Sequence, residues 1–234
     1  MGAMMPNDWE AEARAEVDRI CDEFRRGIAA ARRSIAQHTS DIDGFLQTTR
    51  LFDGPRPEMV RADAFAEGAR VFASRNELLR SVRLPAAPAV CEIGVWKGSF
   101  SKAILRDLAP ARLHLFDLRF DLLDPDVRAH GAVVLHEGDS AEGIATLADD
   151  SLDFAYVDGD HTYQGVRRDL QGVLPKVKRG GFIQVNDYTP WSVLSGFPYG
   201  VMANVNEILG RGLVKVVGFG WHPYGYHDVL LRKG

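Results

Sequence analysis

Five apolar runs in this chain end in acidic or small polar residues: Glu92-Ile93-Gly94, Asp117, Asp139-Ser140, Asp158-Gly159-Asp160-His161 and Asn186-Asp187. Carboxylates accept hydrogen bonds from hydroxyls and amines, hold hard cations through oxygen, and take protons from nucleophiles. One such residue would ordinarily cap a helix. Five at one edge of a sheet make a site, because ligands of open α/β sheets bind beyond the C-terminal ends of the strands.

The elements that must position these residues follow from the hydrophobic pattern. Val90–Ile93, Leu113–Phe116, Ala132–Leu135, Leu152–Val157 and Phe182–Val185 read as buried strands. Helical patterns lie between them, one on Phe100, Ala103, Ile104 and Leu108, another on Tyr163, Val166, Leu170, Val173 and Val177, closed by Gly180-Gly181. The alternation predicts a parallel sheet covered on both faces with right-handed crossovers. After a helix over 201–209, Leu213–Phe219 and Asp228–Leu231 are separated by too few residues for a helical crossover, so they predict an antiparallel hairpin at one sheet edge. The expected fold is α/β: a doubly wound, mostly parallel seven-stranded sheet with an antiparallel C-terminal hairpin, preceded by a helical extension.

That extension spans residues 1–85, with the sheet domain at 86–234. Trp9, Ala13, Val17, Ile20, Phe24, Ile28 and Ile35 recur at helical spacing, and a second helical stretch carries Met59, Phe65, Ala69, Phe72 and Leu78-Leu79. Docking of the first helix onto the main domain is one reading and homo-oligomerisation through it the other. Position before a nucleotide-type domain suits a lid. Met1-Gly2-Ala3-Met4 reads as a cloning remnant.

Gly94 and Gly98-Ser99 put a tight turn and a helix start directly after the first strand, where backbone N–H groups face a ligand. A dinucleotide site wants Gly-x-Gly-x-x-Gly, but Gly94-Val95-Trp96-Lys97-Gly98 has tryptophan at the middle glycine. An indole there obstructs a pyrophosphate, whereas S-adenosylmethionine carries none. Asp117, 23 residues after Gly94, stands where a carboxylate accepts ribose hydroxyls in either kind of site. An NAD-dependent oxidoreductase is the second reading, and a cofactor-binding module without catalysis the third.

Cys91-Glu92-Ile93-Gly94-Val95-Trp96-Lys97-Gly98-Ser99, Gly138-Asp139-Ser140, Tyr156 through Tyr163, Arg167-Arg168-Asp169-Leu170, Gly180-Gly181-Phe182-Ile183 and Asn186-Asp187-Tyr188 together resemble a class I S-adenosylmethionine-dependent methyltransferase of the macrocin O-methyltransferase-like group. The resemblance covers about 88–233 and leaves the N-terminal third unmatched. It implies that Glu92, Gly94, Gly98 and Ser99 face the methionine part of the cofactor, that Asp117 holds the ribose, and that Asp139 and Ser140 meet the adenine, with Asp158 closing the cofactor site. It further implies Mg²⁺ on Asp158, Asn186 and Asp187, activating an acceptor hydroxyl. Where some relatives have two aspartates this chain has Asn186-Asp187, one charge fewer. Asp160 or His161 would be the base, with Asp160 preferred because a carboxylate beside a metal stays ionised. The expected reaction is methyl transfer to a hydroxyl of a sugar-bearing or aromatic natural product.

Composition is compatible with this. The 234 residues carry a net charge of −4, which gives no general nucleic-acid binder. No apolar stretch reaches membrane-spanning length and acidic residues stand near the N-terminus, so a cytoplasmic protein is expected. Cys21 and Cys91 make no disulfide framework, and Cys91 reads as core. Aromatics at Pro190-Trp191, Phe197-Pro198-Tyr199 and Trp221 through His227 are expected to wall the acceptor pocket, with His222 and His227 as turn residues.

Overall fold

The structure is a computed structural model that describes residues 15–16, 18–20, 22–23, 26–30, 54–55, 57–194 and 196–234. The chain divides into a unit of Met1–Leu51 and a unit of Phe52–Gly234. In the first, the described residues are helical, and Ile20 and Ile28 are exposed. Trp9, Ala13, Val17, Cys21, Phe24 and Ile35 lie outside the described residues.

The second unit is built on an eight-stranded sheet. In chain order its elements are β1 (Phe65–Phe72), α1 (Arg75–Ser81), β2 (Ala89–Ile93), α2 (Ser99–Leu108), β3 (Arg112–Asp117), α3 (Pro125–Arg128), β4 (Val133–Glu137), α4 (Ser140–Ala145), β5 (Leu152–Val157), α5 (Tyr163–Lys176), β6 (Val177–Val185), α6 (Val201–Gly210), β7 (Val214–Gly220) and β8 (Asp228–Lys233). The spatial order is β1-β7-β8-β6-β5-β2-β3-β4, and β8 alone runs antiparallel to its neighbours. From β2 the chain winds outward through β3 and β4, then returns to place β5 on the other side of β2. That reversal opens a crevice between the ends of β2 and β5.

The parallel strands are apolar on both faces because both are covered. Along β5, Phe154 and Tyr156 pack with Leu78, Leu79, Phe100 and Ile104 on one side. Ala155 and Val157 pack with Val166, Leu170 and Val205 on the other. Cys91 is buried in the second cluster as a free thiol. No helix among the described residues is long and apolar enough to cross a membrane.

Three expectations change. Residues 65–72 form a strand, not part of a helix, and give the sheet an eighth member. The spacing of Phe65, Ala69 and Phe72 looks helical because β1 is a largely exposed edge, free of the strict alternation a covered strand needs, and Gly68 at φ +75° interrupts its register. The helix that follows starts at Ser74, whose side chain accepts from the Glu77 amide. The C-terminal hairpin is therefore not the edge, since β1 covers β7. Helix α5 also ends at Lys176, so Gly180-Gly181 falls within β6.

Candidate active site

At the end of β2, Gly94 adopts φ +80° and donates its N–H to the Phe116 carbonyl at 2.9 Å. A Cβ at Gly94 would lie 1.9 Å from the Asp158 carbonyl oxygen, so only glycine lets the ends of β2 and β5 close together. The next two amides, of Val95 and Trp96, both donate to Asp117 Oδ2 at 2.8 Å. One carboxylate oxygen of Asp117 thus orders the glycine turn, leaving Oδ1 toward the cleft with a long 3.4 Å contact from the Arg119 amide. Trp96 is 67% exposed, and the Lys97 ammonium lies over its ring.

Beyond this turn is a cleft of about 720 Å³, lined by Glu92, Gly94, Ser99, Asp117, Asp139, Ser140 and Asp158. Its size suits a small-molecule site. Gly98 is not part of that wall. At φ +77° it turns the chain into α2, where a Cβ would meet Leu123 at 2.8 Å. Glu92 is 1% exposed and accepts the Ser101 hydroxyl at 2.5 Å. Burial pushes its carboxyl up to about 8, with the charges of Asp158 and Asp117 adding to the effect.

At the far end Asp139 is the N-cap of α4, accepting from the Ala141 and Glu142 amides at 2.8 and 3.3 Å. Ser140 donates to Asp169 at 2.6 Å. Burial raises the Asp169 carboxyl to about 6. Sequence reasoning gave Asp169 no role, although a carboxylate on the apolar stripe of Val166, Leu170 and Val173 is the signal that marks it.

The chemical end lies between β5 and β6. His161 Nε2 stands 3.6 Å from Asp158 Oδ1 and 3.4 Å from Asp187 Oδ2. The imidazole stacks on Tyr199 at 4.5 Å between centroids. Asp187 takes φ +53°, a left-handed backbone that a non-glycine residue holds only under constraint. Burial and the neighbouring charges of Asp187 and Asp228 raise the Asp158 carboxyl well above the usual range. Asp160 does something else: its two oxygens accept the Thr162 amide and hydroxyl at 2.9 and 2.8 Å, ordering the start of α5. Of the two residues, His161 is the one placed between the carboxylates of Asp158 and Asp187.

The residues expected to hold a metal are Asp158, Asn186 and Asp187. Asn186 is buried and donates its amide to Asp228 Oδ1 at 3.1 Å, while Gln184 donates to the other oxygen at 2.7 Å. Burial lifts the Asp228 carboxyl to about 7. These bonds engage the Asn186 nitrogen and leave its Oδ1 as the atom that could join Asp158 and Asp187 around a cation, with the His161 imidazole between the two carboxylates. No group of three His, Cys, Asp or Glu among the described residues is placed to hold a metal ion, and Mg²⁺ is commonly held by one or two carboxylates with waters completing its octahedron.

A second cleft of about 580 Å³ opens on this side, walled by Asp187, Tyr199, Trp221, His222, Tyr226 and Asp228. His227 accepts the His222 amide and stacks on Trp221, so both histidines order the turn as expected. Arg75, from α1, lines both clefts. It was missed, although Ser74-Arg75-Asn76-Glu77 carries the Ser-x-x-Glu signature of a helix start.

A family model described as a methyltransferase domain matches residues 91–188, from β2 to just past β6. Among curated proteins none matches. Solved structures similar to this chain include the pyocyanin biosynthetic protein PhzM, at 18% identity over 69% of this chain and 55% of that one, with a TM-score of 0.53. The MycE methyltransferase of the mycinamycin biosynthetic pathway, solved with Mg, SAH and mycinamycin VI, is 20% identical over 68% of this chain and 48% of that one, at 0.49. A Corynebacterium glutamicum protein is 15% identical over 89% of this chain and 97% of that one, at 0.53. The chain spans about half the length of the first two. These likenesses concern the fold. What the comparisons give is a match of residues 91–188 to a methyltransferase domain and a shared fold.

Proposed function

We propose that this chain is an S-adenosylmethionine-dependent methyltransferase acting on a hydroxyl of a small molecule, with His161 as the base. The observation that carries the reading is the position of His161 Nε2 between Asp158, which lines the larger cleft, and Asp187, which lines the smaller. S-adenosylmethionine in the larger cleft supplies an electrophilic methyl. An acceptor in the smaller cleft would present its oxygen in line with the sulfur–methyl bond. Holding both in that geometry supplies most of the acceleration. His161 takes the hydroxyl proton as the oxygen–carbon bond forms, and the two carboxylates stabilise the imidazolium. Tyr199, Trp221 and Tyr226 offer ring faces that suit a sugar-bearing or aromatic acceptor.

Magnesium, if bound, would be held by Asp158, Asp187 and the Oδ1 of Asn186, whose nitrogen is turned to Asp228, and would lower the pKa of the acceptor hydroxyl. The same carboxylates flank His161, so chelation of the purified protein tests whether the base acts with or without a metal beside it. His161→Ala should lower kcat about 10²- to 10⁴-fold while leaving calorimetric affinity for S-adenosylmethionine unchanged. Activity that survives His161→Ala would overturn the assignment of the base. Binding of NAD in place of S-adenosylmethionine would overturn the cofactor.

A further inference from the structure

The amino-acid tail of S-adenosylmethionine carries an ammonium and a carboxylate, and the end of the cleft at β2 and β5 is lined by carboxyl groups. Glu92 and Asp158 suit the ammonium and the sulfonium. A carboxylate beside them needs a cation. Four line the cleft: Arg75, Lys97, Arg119 and Arg168. Arg168 pairs with Asp139 at 3.5 Å and Arg119 with Asp121 at 3.7 Å, both toward the nucleoside end. Lys97 is exposed, its ammonium over the outer ring of Trp96.

We propose that Arg75 binds the carboxylate of the cofactor's methionine tail, a reading that rests on S-adenosylmethionine as the cofactor. Its guanidinium is held 5.2 Å over the Phe100 ring, with Nη1 donating to the Tyr156 hydroxyl at 3.2 Å and 4.0 Å from Asp158 Oδ2. Phe100 in turn stacks on Tyr156 at 3.8 Å. The group is thus fixed in place beforehand. Among the described residues only Nη1 of its side chain makes a hydrogen bond, and a guanidinium has further N–H donors in a fork that matches a carboxylate. Glu92, whose carboxyl feels the Arg75 charge, would lie on the ammonium side of the same tail. Because Arg75 also lines the acceptor cleft, it would set the tail carboxylate at the boundary between donor and acceptor.

The test is calorimetric titration of the full chain, wild type, Arg75→Gln and Arg75→Lys, with S-adenosylmethionine and with its decarboxylated analogue. Arg75→Gln is expected to weaken S-adenosylmethionine roughly 10- to 100-fold and to leave the affinity for the decarboxylated analogue unchanged. Arg75→Lys should lose less, keeping the charge without the fork. Circular dichroism reports folding, and if the glutamine variant unfolds, the lysine variant makes the same two-ligand comparison. Equal weakening of both ligands, or no weakening of S-adenosylmethionine, overturns the proposal. Failure of the wild type to bind either ligand overturns the cofactor reading itself.

Discussion

Glu92, Asp228 and Asp169 are carboxyls that burial pushes up to about 8, 7 and 6. Each holds its proton in the folded chain over a range in which the unfolded chain has lost it. Their contribution to stability is therefore greatest below the ordinary carboxylate range and falls as pH rises through the folded values. His114 works the other way. It contacts His136 at 2.9 Å, and burial lowers its pKa to about 4, so its contribution falls as pH drops below about 6.5. Urea unfolding of the ligand-free protein should show stability declining from pH 6 to 8. Glu92→Gln should flatten that decline and raise stability at pH 8 by roughly 1–3 kcal/mol. An unaltered slope would assign the decline to other groups. Glu92 and Asp169, which line the larger cleft, make a second expectation. A cationic cofactor favours their ionised forms, so binding at pH 7 should release protons, seen as a calorimetric enthalpy that varies with the ionisation enthalpy of the buffer.

At the scale of elements, the site depends on how the ends of β2, β3 and β5 lock together. Gly94 lies at the centre, with its amide on Phe116 and no room for a Cβ against the Asp158 carbonyl. Gly94→Ala combines a left-handed backbone with a backbone collision and should cost about 2–4 kcal/mol. It should also abolish cofactor binding. Gly180 shares the conformation, at φ +76°, but nothing lies within 4 Å of where its Cβ would be. Gly180→Ala should cost about 1–2 kcal/mol and spare binding. Denaturant midpoints for the two variants make the comparison, and equal costs would mean that the collision at Gly94 is relieved by movement of β5.

At the scale of the molecule, residues 65–81 belong to the sheet's architecture. β1 covers the edge of β7, while Leu78 and Leu79 of α1 are fully buried against β2, α2 and β5. A fragment of 52–234 should therefore fold and bind S-adenosylmethionine. One of 86–234 exposes an unpaired strand edge and forfeits two buried leucines, worth roughly 1.5–3 kcal/mol each. Size-exclusion chromatography and thermal melting of the two fragments should show aggregation or a lower Tm for the shorter. Equal behaviour would make 65–85 dispensable.

The amino-acid sequence by itself determined the strands that carry the site and the edge at which it lies. A parallel strand covered on both faces is continuously apolar, so the polar residue ending each run is visible without a structure, as at Glu92, Asp117 and Asp158. It also determined the glycine turn, because a backbone approach as close as that of Gly94 to Asp158 leaves a glycine in the sequence. Only the tertiary structure decided which polar atoms face the ligand. Asp160 and His161 are neighbours in sequence, yet one is turned to Thr162 and the other to two carboxylates. Asn186 is directed by Asp228, 42 residues later, and Arg75 by Tyr156, 81 residues later. Local pattern records burial, which is set one residue at a time. The direction of a side chain is set by partners that the fold brings from far along the chain.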